Sequence, residues 1–206
     1  MKKYKLPFPR ILLFSLLVTL LGFAACQEST QIPKPRAYPK VEFPQRDYTT
    51  FEAPYCHFKF EIPTYTKVQQ DTVFFNERPI DPCWFDIYYP DFDCRIYCSY
   101  YPITEENPFD KLHSDAFRLA MEHNKKATFI DELPFAKPNG VSGFIFNLEG
   151  PVATPFQFYL TDSTQHFLRG ALYFNSRIRP DSLAPMYEFV KEDITHMVNT
   201  FAWKEG

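Results

Sequence analysis

The strongest constraint on the fold is a strict alternation of apolar and polar side chains that begins near residue 55. Every second side chain is apolar in residues 56–62, and the same period of two recurs in residues 83–89 and 94–100. Successive side chains of a β-strand point to opposite faces of its sheet, so this period predicts strands with one buried and one wetter face.

Other strands are predicted from shorter apolar runs between turn signals. They are residues 68–75, 128–135, 141–148, 155–161 and 167–175. The stretch 128–135 is also consistent with an irregular edge. The polar residues 162–165 form a connection short enough for a hairpin, and Asn139-Gly140 predicts a turn. Residues 167–175 leave neither face polar, which predicts a central strand covered on both sides.

Two helices are predicted from apolar residues that recur at helical spacing. The first has Asn107 as its cap and Pro108 in its first helical position. The second covers residues 182–201, with Ser182 preferred over Asp181 as its cap. Its predicted outer side carries four charged residues, which are Glu188, Lys191, Glu192 and Asp193.

The order of strands, helix, strands and helix predicts an α+β fold, an antiparallel sheet packed by helices. Removal of the first 25 of 206 residues would leave 181, a length that suits one domain. We therefore predict a lipoprotein signal peptide in residues 1–25, a proline-rich tether in residues 26–54 and a single sandwich domain in residues 55–206.

The first 26 residues have the parts of an export signal that ends at a lipid-acceptor cysteine. A positive start precedes an apolar run of 13 residues, residues 11–23, and small residues then lead to Cys26. The run is shorter than the ~20 residues that a transmembrane helix needs. An uncleaved membrane anchor is the alternative. Acylation of Cys26 predicts an envelope protein that is held on a membrane by its lipid and faces the periplasm.

The charge of the mature chain argues against nucleic acid as a partner. Loss of residues 1–25 removes four positive and no negative charges, so the formal net charge changes from −3 to −7. Nucleic acid is bound by basic surfaces. The negative chain gains no general attraction to anionic lipid either, so the acyl anchor is the predicted membrane contact.

Four cysteines follow Cys26, and all four lie on predicted apolar strand faces. Cys94 and Cys98 share one strand, where roughly 13 Å separates them, beyond the ~7 Å that a disulfide can span. Four cysteines allow three connectivities. Our hypothesis is a Cys56–Cys83 disulfide with Cys94 and Cys98 as buried thiols, which an exported protein permits. Zinc is the competing interpretation, but no CxxC spacing is present.

The proposed tether contains five prolines and few aliphatic residues, which predicts an extended, semi-rigid spacer. The alternative is a docking segment for a partner protein. In that case Lys34 and Arg36 are the candidate binding residues.

No residue pattern predicts catalysis. Asp162, Ser163 and His166 have the residue types of a catalytic triad, but they share one turn, and no GxSxG elbow surrounds the serine. Six glycines leave no phosphate-binding loop. We therefore predict a protein that is not an enzyme. A periplasmic module that binds or hydrolyses a small molecule or the cell wall is the alternative.

No pattern predicts a metal or cofactor either. The five histidines form no close metal-binding pair. His113 and His123 are expected near the polar side of the first helix, each solvated or hydrogen-bonded once. The aspartates in residues 81–93 favour a solvated loop over a cation site.

Four segments carry a resemblance to a known family. They are residues 34–40 (KPRAYPK), 83–87 (CWFDI), 161–175 (TDSTQHFLRGALYFN) and 181–185 (DSLAP). In this order they resemble the gliding-motility lipoprotein GldD family of the Bacteroidetes, over nearly all of the mature chain. The resemblance implies an envelope lipoprotein that is required for gliding and associated with type IX protein secretion. It offers no catalytic or ligand residue to carry over.

A weaker resemblance concerns the fold alone. The order of elements, with a final amphipathic helix before Phe201-Ala-Trp, is similar to the PsbP/Mog1-like α/β/α sandwich. Proteins of that shape bind partners. The expected partners here are protein components of the gliding and type IX secretion machinery.

The predicted docking site is the hairpin turn within residues 161–169, where polar side chains are dense beside aromatic strands. The candidate partner-binding residues are Thr161, Asp162, Thr164, His166 and Arg169. The alternative is a purely structural turn with Arg169 in a salt bridge.

Overall fold

The computed structural model describes residues 40–72, 79–175 and 180–204. Its strands are β1 (Tyr48–Phe51), β2 (Phe58–Pro63), β3 (Lys67–Gln70), β4 (Trp84–Tyr89), β5 (Cys94–Pro102), β6 (Phe129–Ala136), β7 (Ser142–Glu149), β8 (Phe156–Thr161), β9 (His166–Phe174) and β10 (Ala202–Trp203). Its helices are α1 (Phe109–Met121), which continues into a 3₁₀ turn (Glu122–Lys125), and α2 (Pro180–Thr200). These elements confirm the predicted α+β class.

The described strands form two sheets, although a single sheet was predicted. The large sheet has seven strands in the order β3-β4-β5-β9-β8-β7-β6, and the small sheet has the order β1-β2-β10. The strand pairings among the described residues are all antiparallel. The small sheet escaped prediction because β1 and β10 have only four and two residues, too few to show a period.

The large sheet has a hydrophobic core on each face. Neighbouring residues of β8 belong to different cores, Phe158 to one and Tyr159 to the other. The first core contains the α2 residues Val190, Ile194, Met197 and Val198. The second core contains the α1 residues Leu112, Ala116 and Ala120. One helix therefore covers each face, in the predicted α/β/α layering.

The alternating pattern is confirmed where it was strongest. In β5, burial alternates along the strand from Cys94 to Tyr100. In β9, the adjacent Phe167 and Leu168 are both buried, one on each face of the sheet. This strand is the fourth of seven, which is the central position predicted from its two apolar faces.

The predicted disulfide is present between Cys56 and Cys83, whose Cα atoms are 5.0 Å apart. Cys56 precedes β2 of the small sheet and Cys83 precedes β4 of the large sheet, so the bridge fastens the two sheets together. Cys94 and Cys98 are free and buried. Burial raises the pKa of both thiols, which makes them poor nucleophiles.

The fold begins before the predicted domain boundary at residue 55. Strand β1 lies within the predicted tether and pairs with β2 from Tyr48 to Phe51. No proline interrupts residues 45–53, so this part of the tether can join a sheet.

Asp193 of α2 is buried, although it was placed on the outer side of that helix. Its side chain has 0% exposed surface. Its Oδ1 accepts hydrogen bonds from Tyr48 at 2.9 Å and Arg46 at 3.3 Å, and its Oδ2 accepts one from Tyr65 at 2.7 Å. Because α2 packs against both sheets, its buried arc is wider than one apolar stripe. Asp193 thereby ties the segment before β1 to α2.

The predicted helix caps are displaced. Pro108 occupies the N-cap position of α1 without a side-chain cap, and Asn107 accepts a hydrogen bond from Lys111 Nζ at 3.1 Å. Helix α2 begins at Pro180, so Ser182 is its third residue instead of its cap. Proline tolerates the first turn of a helix because its missing N–H has no partner there.

Several predictions concern residues outside the described ranges. The signal peptide, Cys26, Lys34 and Arg36 are among them, so their roles stay predictions. Within the ranges that are described, no helix has both the length and the apolar character needed to cross a membrane.

Candidate functional site

The hairpin between β8 and β9 is held together by its own side chains. Asp162 Oδ1 accepts hydrogen bonds from the backbone N–H groups of Thr164, Gln165 and His166 at 2.8–2.9 Å. Burial opposes the charged form, but these bonds prevail and lower the pKa of Asp162. Thr161 is buried and donates to the carbonyl of His166 at 2.6 Å. Thr161 and Asp162 therefore shape the turn, and Thr164 remains exposed at its tip.

His166 and Arg169 do not contribute to one surface. They are three residues apart in β9, so their side chains point to opposite faces of the sheet. His166 is on the α2 side, with Leu168. Arg169 is on the α1 side, opposite Ser99 and Tyr159 in the strand register. The predicted docking residues thus separate into two sets.

On the α2 side, His166 belongs to a cluster of rings. Its Nδ1 lies 2.6 Å from the Tyr100 hydroxyl. Its ring centroid is 4.9 Å from that of Trp203 and 5.5 Å from that of His57. Burial lowers the pKa of His166, which favours the neutral ring. These contacts join the end of β9 to β10 and to the residue before β2.

The residues with triad chemistry are not in triad geometry. A triad needs the acid bonded to the base and the base bonded to the nucleophile. Asp162 instead binds backbone amides, and His166 Nδ1 pairs with Tyr100. Ser163 has a φ of 64° at the hairpin tip, and its N–H donates to Thr161 Oγ1.

The two histidines expected on the polar side of α1 are both half-buried. His113 Nδ1 lies 2.8 Å from the Tyr159 hydroxyl, between α1 and the sheet. His123 is in the 3₁₀ turn after α1, with its Nε2 2.7 Å from Thr154 Oγ1. In the described part of the chain, no three His, Cys, Asp or Glu side chains form a group that could hold a metal ion.

One half of the α1-side face of the large sheet packs against α1. The other half carries tyrosines and arginines. We call this half the tyrosine face, defined by Tyr88, Arg95, Tyr97, Tyr101, Arg169 and Tyr173. Tyr88, Tyr97 and Tyr173 belong to neither hydrophobic core. Tyr97 is 40% exposed, and its ring meets that of Tyr173 edge to face with centroids 5.2 Å apart. The tyrosine face is therefore an aromatic surface on a regular sheet.

Arg95 is fixed at one end of the tyrosine face by three neighbours. Its guanidinium lies 4.3 Å from the centroid of the Tyr88 ring. Its Nη1 donates to Gln69 Oε1 at 2.7 Å and to Asp86 Oδ2 at 3.4 Å. A guanidinium on a ring, with its hydrogen bonds formed, is held in one orientation.

Arg169 is held in place by a chain of hydrogen-bonded polar side chains. Its Nη2 donates to Gln157 Oε1 at 2.6 Å, and Gln157 Nε2 donates to Thr154 Oγ1 at 2.9 Å. Gln157 and Thr154 are buried, and the latter contacts His123. Arg169 forms no salt bridge with a described acidic residue, so the salt bridge expected in the alternative interpretation of the turn is replaced by the hydrogen bond to Gln157.

Asp86 lies beside the tyrosine face and is incompletely satisfied. It is 6% exposed, and its Oδ1 has no hydrogen-bond partner in the structure. Burial raises its pKa to about 6, with a further increase from the nearby Asp71 and an opposing effect of Arg95.

Sequence reasoning missed the tyrosine face, although a signal for it exists. Tyr97 occupies an outward position in the alternating pattern of residues 94–100, and Arg95 occupies the preceding outward position. A large ring on the wetter face of a strand needs a partner for its apolar surface. The pattern shows this position but not whether another part of the chain covers it.

A comparison with protein families matches residues 28–203 to the family described as "Gliding motility lipoprotein GldD". The chain belongs to the GldD family. The match includes every described strand and helix, so it confirms the resemblance seen in the four sequence segments. GldD membership associates the chain with gliding motility, and it identifies a lipoprotein of the cell envelope.

A comparison with solved structures finds the solution structure of cyanobacterial PsbP (CyanoP) from Synechocystis sp. PCC 6803. It is similar to this protein with a TM-score of 0.47 and 10% sequence identity, over 78% of this chain and 94% of that chain. The predicted PsbP-like shape is thus the fold of a solved structure that this comparison finds. A comparison with curated proteins finds no match.

Proposed function

We propose that this protein is an accessory component of the gliding and type IX secretion machinery that acts by binding a protein partner. Family membership supports the association with gliding. The link to type IX secretion extends what the sequence resemblance implies. In this proposal the acyl chain on Cys26 holds the domain at a membrane, facing the periplasm, and the proline-rich segment gives it reach.

The observation that carries the proposal is the tyrosine face. Tyrosine and arginine are enriched in the energetically important parts of protein interfaces, since each combines a large contact area with hydrogen-bonding groups. Tyr97 is 40% exposed, so its ring is available to a partner. Arg95 and Arg169 are held in place by Gln69 and Gln157, so a partner meets side chains that are already ordered.

The histidine and acidic groups considered for catalysis or metal binding have structural roles that fit the same proposal. Asp162 stabilises the hairpin, and His166 packs in a ring cluster. His123 ends the polar chain that positions Arg169. Each of these groups has a structural hydrogen bond, which is consistent with a protein that acts by binding.

The proposal is tested by complementation in a gliding strain that lacks the gene. The test variant is Tyr97→Ala with Tyr173→Ala, which removes the two rings that meet edge to face. The matched control is Ile80→Ala, because Ile80 is 56% exposed and lies outside the tyrosine face. We expect the double variant to lose spreading and to retain secreted cargo inside the cells, while the control behaves like the wild type. Normal spreading and secretion by the double variant, at equal protein levels, would overturn the proposal.

A further inference from the structure

A groove lies between the first half of α2 and the strands β6 and β7. Its volume is about 460 Å³, which is in the range of sites that hold a small ligand or a few side chains. Leu183 and Tyr187 of α2 form part of its wall. Phe129 of the edge strand β6 also lines it and is 57% exposed. Phe129, Leu183 and Tyr187 together give the groove an apolar wall, and contiguous apolar surface of this kind marks contact sites.

The charged side chains around this groove are mostly acidic. Asp131, Glu149 and Glu188 line it, and none of them forms an ion pair with a cation in the described ranges. Lys191 also lines the groove, but its ammonium lies 5.6 Å from the centroid of the Tyr187 ring. The groove therefore offers three carboxylates that form no ion pair in the described part of the chain, and they are free to bind a cation from a partner.

We propose that this groove binds a short segment of a partner protein in which an arginine or lysine stands between apolar side chains. Glu149, Glu188 and Asp131 would receive the cation, and Phe129 with Leu183 would contact the apolar side chains. The groove shares no residue with the tyrosine face. The inference goes beyond the proposed function, and each can fail without the other.

The test is calorimetric titration of the full mature lipoprotein, in micelles of a neutral detergent, with synthetic pentapeptides. The probes are acetyl-Leu-Arg-Leu-Arg-Leu-amide and its citrulline counterpart, which keeps the shape but lacks the charge. A titration into detergent alone corrects for binding to the micelle. We expect the arginine peptide to bind at least tenfold more tightly than the citrulline peptide in low salt. High salt should reduce that difference, because exposed charges are screened.

Charge reversal at the groove gives the decisive comparison. Glu149→Lys with Glu188→Lys should reduce binding of the arginine peptide at least tenfold. The matched control is Glu105→Lys with Glu106→Lys, which makes the same charge change at two exposed residues outside the groove. It should leave binding within twofold of the wild type.

A milder variant, Asp131→Asn, removes one negative charge without introducing a positive one, and it should weaken binding of the arginine peptide. Near-UV circular dichroism checks that every variant is folded. The proposal is overturned if neither peptide binds, if the citrulline peptide binds equally well, or if the control pair weakens binding as much as the groove pair does.

Discussion

At the scale of single residues, two buried carboxylates, Asp193 and Asp86, are expected to have the clearest effects on stability. Asp193 has three hydrogen-bond donors around its carboxylate. Asp86 has a weak contact with Arg95 on one oxygen and no partner on the other. A buried carboxylate without its hydrogen bonds is costly when charged. We therefore expect that substitution of Asp193 destabilises the protein and that substitution of Asp86 by asparagine stabilises it.

Asp86→Asn is expected to stabilise the protein at pH 8 by about 1–2 kcal/mol. The pKa of about 6 in the folded state exceeds the ordinary value of 3.8, so the folded chain binds the proton more tightly. The stability from this group is fully present below the ordinary pKa and is lost as the pH rises through the folded pKa. Urea unfolding between pH 4.5 and 8 should show this decline in the wild type and a smaller one in the variant.

The control for this prediction is Asp91→Asn, because Asp91 is exposed in the turn that follows β4. It should leave the pH dependence unchanged. An Asp86→Asn protein that is less stable than the wild type at pH 8 would show instead that the charged carboxylate contributes to folding through Arg95.

At the scale of secondary-structure elements, β1 pairs with β2 and is also held against α2, because Tyr48 donates to Asp193. Arg46 precedes β1 and contacts α2 three times, at Asp193, at Glu192 and at the carbonyl of Phe189. Its guanidinium also lies 4.2 Å from the centroid of the Phe189 ring. These contacts place the start of the folded domain well before residue 55.

Asp193→Ala is expected to lower the free energy of unfolding by about 3 kcal/mol, because Tyr48 and Tyr65 lose their acceptor and Arg46 loses one of its contacts with α2. Trypsin should also cleave the folded variant at Arg46 faster than it cleaves the wild type. Glu192→Ala is the matched control. Its carboxylate contacts Arg46 at 2.8 Å but is 67% exposed, so the expected loss is below about 1 kcal/mol. Equal losses in both variants would contradict this interpretation.

The disulfide between the two sheets gives a second prediction for the elements. Cys56→Ser with Cys83→Ser should lower the free energy of unfolding by roughly 3 kcal/mol, since the bridge closes a loop of 27 residues in the unfolded chain. Thermal unfolding with and without a reductant measures this effect. The reductant should destabilise the wild type and leave the double variant unchanged. A wild type that is insensitive to full reduction would contradict it.

The sequence predicted the strands whose apolar residues recur with a clear period. It did not predict the burial of side chains that depends on contacts with distant segments of the chain. The alternation in residues 56–62 and 94–100 led to β2 and β5, and the two apolar faces of residues 167–175 led to the central position of β9. The burial of Asp193 depends on β1, which is too short to leave a pattern.

The proposed docking surface was harder to predict for the same kind of reason. His166 and Arg169 are close in the sequence, but the strand between them sends their side chains to opposite faces. The tyrosine face needs Tyr97 of β5 and Tyr173 of β9 together, and only the pairing of these strands makes them neighbours.

At the scale of the whole molecule, the proposed function joins a lipid anchor to a rigid sandwich with an aromatic surface. The GldD family supplies the association with gliding and the lipoprotein character. The folded domain supplies an ordered surface, because the large sheet carries a core on each face and the disulfide secures the small sheet.

Cys26→Ala is expected to abolish incorporation of a fatty-acid probe and to release the protein from the membrane fraction. The acyl chains are the proposed membrane contact, and the mature chain carries a formal net charge of −7 after loss of residues 1–25, which gives it no general attraction to anionic lipid. Gliding should fail although the domain is folded. Continued labelling of the variant, or its retention in the membrane fraction, would contradict the predicted anchor.

Photo-crosslinking in living cells tests the tyrosine face most directly. A photoreactive phenylalanine analogue replaces Tyr97, and the control carries the same analogue at the exposed Glu105. We predict that position 97 forms one dominant adduct with a protein of the gliding or type IX secretion machinery, and that the control does not form it. A protein that still supports gliding but forms no such adduct from position 97, or forms it equally from position 105, would contradict docking through the tyrosine face.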